Sequence, residues 1–226
     1  MEFTVYKKSF LPPEINTKEI LRYAGCKESY QDIELLLEEA LKQTEGKLTY
    51  SVCFCKVPIN IKKILVDLSF AKIESTHLAK CLNGCDSAVI FAATIGLNID
   101  RLIAKSGKTS PSLSVMLQAL GAERIESLCN KFEDYILSES SEKIYLKPRF
   151  SPGYGDLPLD FQRQIFSLLN CNKHIGLSLN DSLIISPTKS VTAIIGISDK
   201  ICEPKTECSY CIKTDCEFRQ GENNDF

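Results

Sequence analysis

The sequence lacks an excess of positive charge, and this absence excludes one group of functions. Its 226 residues include 27 Lys and Arg against 29 Asp and Glu, which gives a net charge of -2 and an isoelectric point near 5.8. A chain with this balance presents no general positive field to nucleic acid or to an anionic membrane surface. We therefore expect neither of them as a partner.

Long hydrophobic runs and a leader pattern are also lacking. The longest apolar run, residues 88–97, is too short to cross a bilayer, and Met1-Glu2-Phe3-Thr4 does not begin a signal peptide. A cytoplasmic location is the expectation that follows. In that reducing compartment the 11 cysteines are expected to be thiols or metal ligands rather than disulfides.

Histidine is scarce, since the chain has only 2. His77 precedes a short helix predicted over residues 78–82, and no catalytic motif surrounds it. A structural role for His77 is the favoured interpretation.

Helical and strand patterns are both present, and they predict an α+β fold. Residues 30–41 repeat apolar side chains at helical spacing, and a longer helix is predicted from Ser110, with Pro111 in its first turn. Residues 48–57 and 64–70 alternate, so we expect two strands of one sheet. The expected fold is a single domain over residues 1–200, with a twisted, mainly antiparallel sheet packed against long helices.

Two further strand features bear on the fold. Cys53 and Cys55 share one strand face, and without a nearby His or a second cysteine pair they are expected to be small buried side chains rather than metal ligands. Residues 183–186 and 191–196 flank Pro187 to Ser190, and this arrangement predicts a hairpin.

Residues 147–158 form the most unusual stretch, with three prolines, two glycines, Arg149 and Tyr154 among twelve residues. This composition excludes helix and central strand, because amide donors are missing and φ is fixed at several positions. Two interpretations stay open on composition alone. The stretch is either a rigid ligand-holding loop, in which glycine admits close approach and arginine binds a carboxylate or phosphate, or an ordinary crossover.

A resemblance favours the ligand loop. Arg149-x-x-Pro152-Gly153-Tyr154, followed by Pro158, resembles the adenosylmethionine-binding loop of the C-terminal activation domain of cobalamin-dependent methionine synthase. Residues 185–196 resemble the Pro-x-x-Ser-Val-Ser segment of the same domain, and the two blocks occur in the family's order. In the family this domain usually ends a much larger enzyme, so the resemblance implies a free-standing relative.

The function implied by this resemblance is reactivation of a corrinoid enzyme. The domain holds S-adenosylmethionine over the corrin of a separate methionine synthase whose cobalamin has oxidised to cob(II)alamin. An electron donor such as flavodoxin and the methyl group of adenosylmethionine restore methylcobalamin. The implied partner is the methionine synthase core or another corrinoid protein, and no residue of this chain is expected to be an acid–base catalyst.

The resemblance also implies the binding residues. Arg149 would pair with the ligand carboxylate, backbone groups of Ser151 and Gly153 would meet its polar edges, and Tyr154 would offer a ring or hydroxyl.

Two family contacts change in this sequence. Alignment places Ser127 at a ligand-contacting glutamate, with Glu126 next to it and Glu123 one turn away, so Glu126 is the expected substitute. Ile195 stands where the family has a tyrosine that lines the site. We expect this change to weaken or reshape ligand binding.

The last residues, 201–226, form a cysteine-rich tail with little apolar material for a core. Cys202, Cys208, Cys211 and Cys216 are candidate ligands for Zn²⁺ or an iron–sulfur cluster, since both accept four thiolates. A flexible redox-active thiol tail is the alternative.

Two other functions stay open. The chain could be an activator whose tail carries a cluster and delivers the electron, or a non-catalytic docking module for a methionine synthase core.

Overall fold

A five-stranded antiparallel sheet lies at the centre of the computed structural model, which describes residues 3–26 and 30–200. The described elements, in chain order, are β1 (Tyr6–Phe10), α1 (Thr17–Tyr23), α2 (Gln31–Thr44), β2 (Tyr50–Pro58), β3 (Asn60–Lys62), β4 (Leu65–Asp67), β5 (Lys72–Glu74), α3 (Thr76–Cys81), β6 (Ser87–Thr94), α4 (Asn98–Thr109), α5 (Pro111–Glu139), β7 (Tyr145–Leu146), a 3₁₀ turn (Leu159–Phe161), α6 (Gln162–Leu169), α7 (Cys171–Ile175), β8 (Ser178–Leu179), β9 (Ile185–Ser186) and β10 (Ser190–Ser198).

The main sheet has the strand order β1-β2-β6-β10-β7, and every neighbouring pair is antiparallel. Both of its faces are buried, because successive side chains of a strand point to opposite sides. On β6, Val89 and Phe91 join a core shared with α1, α2, α4 and α5, whereas Ile90 and Ala92 join a second core shared with α3, α6 and α7. The α+β fold predicted from the sequence is confirmed.

Helix α5 is the longest described helix and packs along the first face of the sheet. Pro111 occupies its first turn, where a missing N–H costs nothing. The predicted apolar stripe is buried, with Leu117, Leu120 and Leu128 fully inaccessible. Phe132 completes the stripe and packs against the rings of four other aromatic residues, Phe10, Phe54, Phe91 and Tyr135. The helix therefore forms the spine that the periodicity predicted.

Two predicted strand pairings are wrong. Residues 64–70 do not share a sheet with β2, since β1 and β6 already occupy both edges of β2 and β4 pairs instead with β3 and β5 in a separate sheet. The predicted hairpin is absent, because β9 pairs with β8 while β10 pairs with β6 and β7. The alternation of apolar and polar residues along a strand predicts which face of the sheet each residue occupies. It does not predict which strand is the partner.

The described cysteines of β2 are buried as expected. Cys53 and Cys55 are fully inaccessible, and burial raises the pKa of Cys55 to about 12, so this thiol stays protonated near neutral pH. Within residues 3–26 and 30–200, no group of three or more His, Cys, Asp or Glu side chains is placed to hold a metal ion. Cys202, Cys208, Cys211 and Cys216 lie outside the described residues.

Across the described ranges, no helix has both the length and the hydrophobicity that crossing a bilayer requires.

Candidate functional site

Arg149 is aimed by a β-bulge at the edge of the main sheet. Strand β7 pairs with the end of β10, and Phe150 pairs with Ile194 again through two backbone hydrogen bonds of 2.9 Å. Between these pairs, residues 147–149 face only residues 195–196 of β10, so one residue is extra. A bulge bends a strand and redirects a side chain, and here the side chain of Arg149 reaches α5.

Three side chains on one face of α5 hold the Arg149 guanidinium. Nη1 donates to Asn130 Oδ1 at 2.9 Å and to Glu133 Oε1 at 2.7 Å, and Nη2 donates to Glu126 Oε2 at 2.9 Å. The acceptors are four and three residues apart, the spacing that puts them in a row on a helix. The side chain of Arg149 is 23% exposed, so this cluster is half-buried at the protein surface.

The cluster carries more negative than positive charge, with two carboxylates around one guanidinium. Burial raises the pKa of Glu133, an effect that Arg149 partly offsets. Burial alone would lower the pKa of Arg149, but the surrounding Cys129, Glu133 and Glu126 outweigh it and raise that pKa. The guanidinium therefore remains charged.

One edge of the guanidinium is only partly occupied. Nη1 donates to Asn130 and Glu133 and Nη2 donates to Glu126, whereas Nε has no acceptor in the part of the chain that the structure describes. Nε–H and an Nη2–H form the side-on fork that matches a carboxylate, and Glu126 is the described residue that contacts its Nη2 end. Arg149 can therefore bind a ligand carboxylate while Nη1 stays attached to α5.

The loop after Arg149 is folded by its own backbone. Gly153 N donates to Leu157 O at 2.9 Å, and Tyr154 N donates to Ser151 O at 3.1 Å. Pro152 and Leu157 are buried, whereas Tyr154 is exposed. Gly153 has a φ of +92°, which a side chain would strain. Pro152 and Leu157 thus anchor the loop in the protein interior, and Tyr154 lies at its exposed tip.

Asp156 fastens this loop to the start of α3. Its carboxylate accepts hydrogen bonds from the Ser75 hydroxyl, from Thr76 N at 2.7 Å and from His77 N at 3.2 Å. His77 lies over the loop, and a Cβ on Gly155 would overlap its ring. The structural role expected for His77 thus takes the form of packing against the loop.

Replacing Asp156 by Asn should lower thermal stability in a pH-dependent way. The pKa of Asp156 is lowered to about 2, chiefly by the Ser75 hydroxyl, whereas the pKa of an Asp side chain in the unfolded chain is about 3.9. The carboxylate therefore stabilises the fold above about pH 4, and this contribution is lost as the pH falls toward about 2. Thermal unfolding of wild type and Asp156→Asn across this range should show midpoints that converge in acid.

Asp134→Asn is the matched control for that series, because it removes a carboxylate from an exposed position of α5. The thermal unfolding midpoint of Asp134→Asn should equal that of wild type at every pH. A difference between Asp156→Asn and wild type that does not change with pH would contradict the assigned role.

The structure brings most of the predicted binding residues together. Arg149, Ser151, Gly153 and Tyr154 lie in one continuous loop, and Glu126 contacts Arg149 from α5. Ile195 is the exception. It faces the bulge along β10, but its side chain is fully buried in the core shared with α5, so it has no surface for a ligand. We therefore leave Ile195 out of the site.

The alternatives to Glu126 on α5 have other partners. Glu123 is 2% exposed, pairs with Arg124 and accepts a hydrogen bond of 2.6 Å from the Ser127 hydroxyl. Both Glu123 and Ser127 are thus engaged away from the loop. Sequence reasoning missed Asn130 and Glu133, although their spacing from Glu126 places all three on one helix face.

The second resembling block lies farther along β10. Thr188 donates to Asp100 from its backbone N at 2.9 Å and from its hydroxyl at 2.5 Å, and the hydroxyls of Ser190 and Thr94 are 2.8 Å apart. Ser190 is five residues from Ile195, which at strand spacing is roughly 16 Å. These contacts tie the start of β10 to α4 and β6, away from the Arg149 loop.

Two cavities lie elsewhere. One of about 580 Å³ is lined by Phe70, Arg163 and neighbouring residues, and one of about 480 Å³ by Pro12, Tyr50, Arg124 and others. No residue of the Arg149 loop lines either cavity. We place the candidate site at the loop nevertheless, because the Nε and Nη2 edge of the Arg149 guanidinium supplies specific chemistry that cavity size does not.

Comparison with solved structures identifies the fold. The chain is similar to the crystal structure of the MetH reactivation domain bound to AdoHcy, with a TM-score of 0.61 over 86% of this chain and 78% of that chain. At 17% sequence identity, the similarity establishes the fold alone. The chain therefore has the fold of the methionine synthase reactivation domain, as the two sequence blocks implied. No family model matches the sequence, and no curated protein matches it.

Proposed function

We propose that the protein binds S-adenosylmethionine at the Arg149 loop and supports reductive remethylation of cob(II)alamin in a separate corrinoid protein. The observation that carries the proposal is the side-on edge of the Arg149 guanidinium, whose Nε has no acceptor among the described residues and whose Nη2 contacts only Glu126 among them, on the fold of a domain crystallised with AdoHcy. A carboxylate is the group that this edge matches best. Adenosylmethionine and AdoHcy both carry one.

The loop supplies the remaining contacts in this proposal. Arg149 holds the amino-acid carboxylate, and Ser151 N and Gly153 O, which take no part in the loop hydrogen bonds described above, meet polar edges of the ligand. Tyr154, exposed at the tip, places an aromatic ring near the sulfonium, an interaction worth roughly 0.5–2 kcal/mol. These residues position the ligand, and the reactivity comes from the bound sulfonium and from the corrinoid of the partner.

The proposed partner is the core of a cobalamin-dependent methionine synthase or another corrinoid protein. One electron from a flavodoxin-like donor and the methyl group of adenosylmethionine together convert cob(II)alamin to methylcobalamin, and AdoHcy is released. The role of this chain is to bind the methyl donor, present its methyl group and release the product.

A reactivation assay tests the proposal. A methionine synthase core in the cob(II)alamin form, adenosylmethionine and a chemical reductant are mixed with and without this protein, and methylcobalamin is followed by its visible spectrum. We expect methylcobalamin to form only when the protein is present. Equal formation without it would overturn the proposal, and binding of the core without binding of adenosylmethionine would indicate a docking module instead.

A second candidate function is electron delivery by a metal cluster in the cysteine-rich tail, and one observation favours it. The end of β10 lies beside the bulge, where Lys147 N donates to Gly196 O at 2.9 Å and the Ser198 hydroxyl donates to Gly84 O at 3.1 Å. Lys200, the last described residue before the tail, donates from its N to the Ser198 hydroxyl at 3.1 Å, and Ser198 pairs with β7, the strand that leads into the Arg149 loop.

Metal content and ligand binding should respond separately to changes in the tail. If the tail binds Zn²⁺ or a cluster, Cys208→Ser or Cys211→Ser should lose it, because four-thiolate sites need every ligand. AdoHcy binding should stay within about twofold of wild type, since Arg149 and α5 are unchanged. Protein purified without oxygen is assayed for zinc and iron and titrated with AdoHcy.

The control is Cys26→Ser, which removes a thiol from the described part of the chain and should leave metal content unchanged. An intact protein that holds neither zinc nor iron would contradict the metal assignment.

A further inference from the structure

We propose that two glutamates on α5 affect the Arg149 site in opposite ways. Glu133, together with Asn130, positions the guanidinium, whereas Glu126 occupies the place of a ligand carboxylate and moves away when the ligand binds. This inference rests on the proposed function, because the ligand it considers is the amino-acid end of adenosylmethionine or AdoHcy.

Glu133 and Asn130 are suited to positioning. They accept both hydrogens of Nη1, at 2.7 Å and 2.9 Å, so the guanidinium cannot turn about its bonds without breaking both contacts. Glu133 is 28% exposed and is the less exposed of the two carboxylates on Arg149. With Nη1 fixed, the opposite edge of the guanidinium, Nε and Nη2, is presented in one orientation.

Glu126 can move away from Arg149 at a smaller cost than Glu133. Its side chain is 44% exposed, and within residues 3–26 and 30–200 its single hydrogen bond is the one it accepts from Arg149 Nη2 at 2.9 Å. A surface carboxylate held by one ion pair loses little when it turns into solvent. Glu133 would have to leave a more buried position.

Repulsion between carboxylates is the reason that Glu126 moves away when the ligand binds. Arg149 already faces two carboxylates, and a ligand carboxylate on the Nε and Nη2 edge would be the third around a single cation. Like charges within a few ångströms oppose one another. This repulsion is reduced at the smallest cost if the more exposed of the two carboxylates, Glu126, moves into solvent. Glu126 thus acts as an internal substitute for the ligand in the free protein.

The test compares two substitutions of equal size and equal charge change, Glu126→Ala and Glu133→Ala, with Asn130→Ala, which changes no charge. Wild type, Glu126→Ala, Glu133→Ala and Asn130→Ala are titrated with AdoHcy by calorimetry. We expect Glu126→Ala to bind about three- to tenfold tighter, because the competitor is gone, and Glu133→Ala and Asn130→Ala to bind about five- to tenfold more weakly, because the guanidinium is released.

Two controls separate this mechanism from simpler ones. Asp134→Ala removes a neighbouring carboxylate that does not contact Arg149 and should change affinity by less than about twofold. 5′-Methylthioadenosine lacks the amino-acid carboxylate, so its affinity should be the same for Glu126→Ala and wild type.

The remaining outcomes would overturn either the inference alone or the inference together with the proposed function. Tighter binding by both Glu126→Ala and Glu133→Ala would indicate general electrostatics, and weaker binding by both would indicate direct contact or a structural role, so either result overturns the inference alone. Absence of saturable AdoHcy binding by wild type would overturn the proposed function together with the inference.

Discussion

Arg149→Ala should weaken binding of AdoHcy and adenosylmethionine by at least about tenfold. One charge-assisted hydrogen-bonded pair is worth about 1.5–3 kcal/mol, which corresponds to about one to two decades in affinity. The substitution also leaves Glu126 and Glu133 without the cation that they contact, so the site becomes repulsive to a carboxylate. Calorimetric titration of wild type and variant measures the change.

Two further variants make this experiment specific. Arg149→Lys keeps the charge but loses the planar fork, and its affinity should lie between those of wild type and Arg149→Ala. Arg163→Ala removes an arginine of α6 whose hydrogen-bond partners are Asp160 and Asp181 O rather than residues 147–158, and this variant should bind the ligand as tightly as wild type. An unchanged titration for Arg149→Ala would remove Arg149 from the site.

Arg124→Met should destabilise the folded protein by about 3–5 kcal/mol, because removing one partner of a buried ion pair leaves the other charge uncompensated. Arg124 and Glu123 are only 3% and 2% exposed. Arg124 also donates to Pro13 O at 2.7 Å and to Glu14 O at 2.6 Å, so it fixes the segment that leads into α1. Methionine fills similar space, so the loss measured by urea denaturation reports charge and hydrogen bonds.

Arg22→Met provides the matched comparison. Arg22 pairs with Glu19 at 2.6 Å, but these side chains are 31% and 40% exposed. A surface pair of this kind contributes about 0–1 kcal/mol. Equal losses of stability for Arg22→Met and Arg124→Met would contradict the distinction between the buried and the exposed pair.

Sequence reasoning singled out the Arg149 loop and predicted helix α5. The prolines and glycines of residues 147–158 excluded regular structure, and the apolar period after Ser110 predicted the buried stripe of α5, because both signals are local in sequence. Glu126 was selected through the resemblance, because the family's ligand-contacting glutamate aligns with the neighbouring residue, Ser127. The contact between α5 and Arg149 joins residues 23 positions apart, and no local pattern specifies it.

The features that sequence reasoning missed depend on pairing over long distances. The bulge at Arg149 arises only when the segment before it is aligned with β10, and the same alignment buries Ile195. The Asp156 contact with α3 joins residues about 80 positions apart, since Asp156 accepts from Ser75, Thr76 and His77. Alternation correctly placed Cys53 and Cys55 on one face of β2, but it did not identify the partner strands of β2 or β10.

The most direct test of the central claim is a titration of the ¹⁵N-labelled protein with S-adenosylmethionine, followed by amide chemical shifts. We predict saturable shifts, with half-saturation between about 1 µM and 1 mM, that cluster at residues 149–155 and along residues 126–133 of α5. Shifts that cluster instead at the Phe70 and Arg163 cavity or at the Pro12 and Arg124 cavity, or that do not saturate, would contradict the claim that the Arg149 loop binds this ligand.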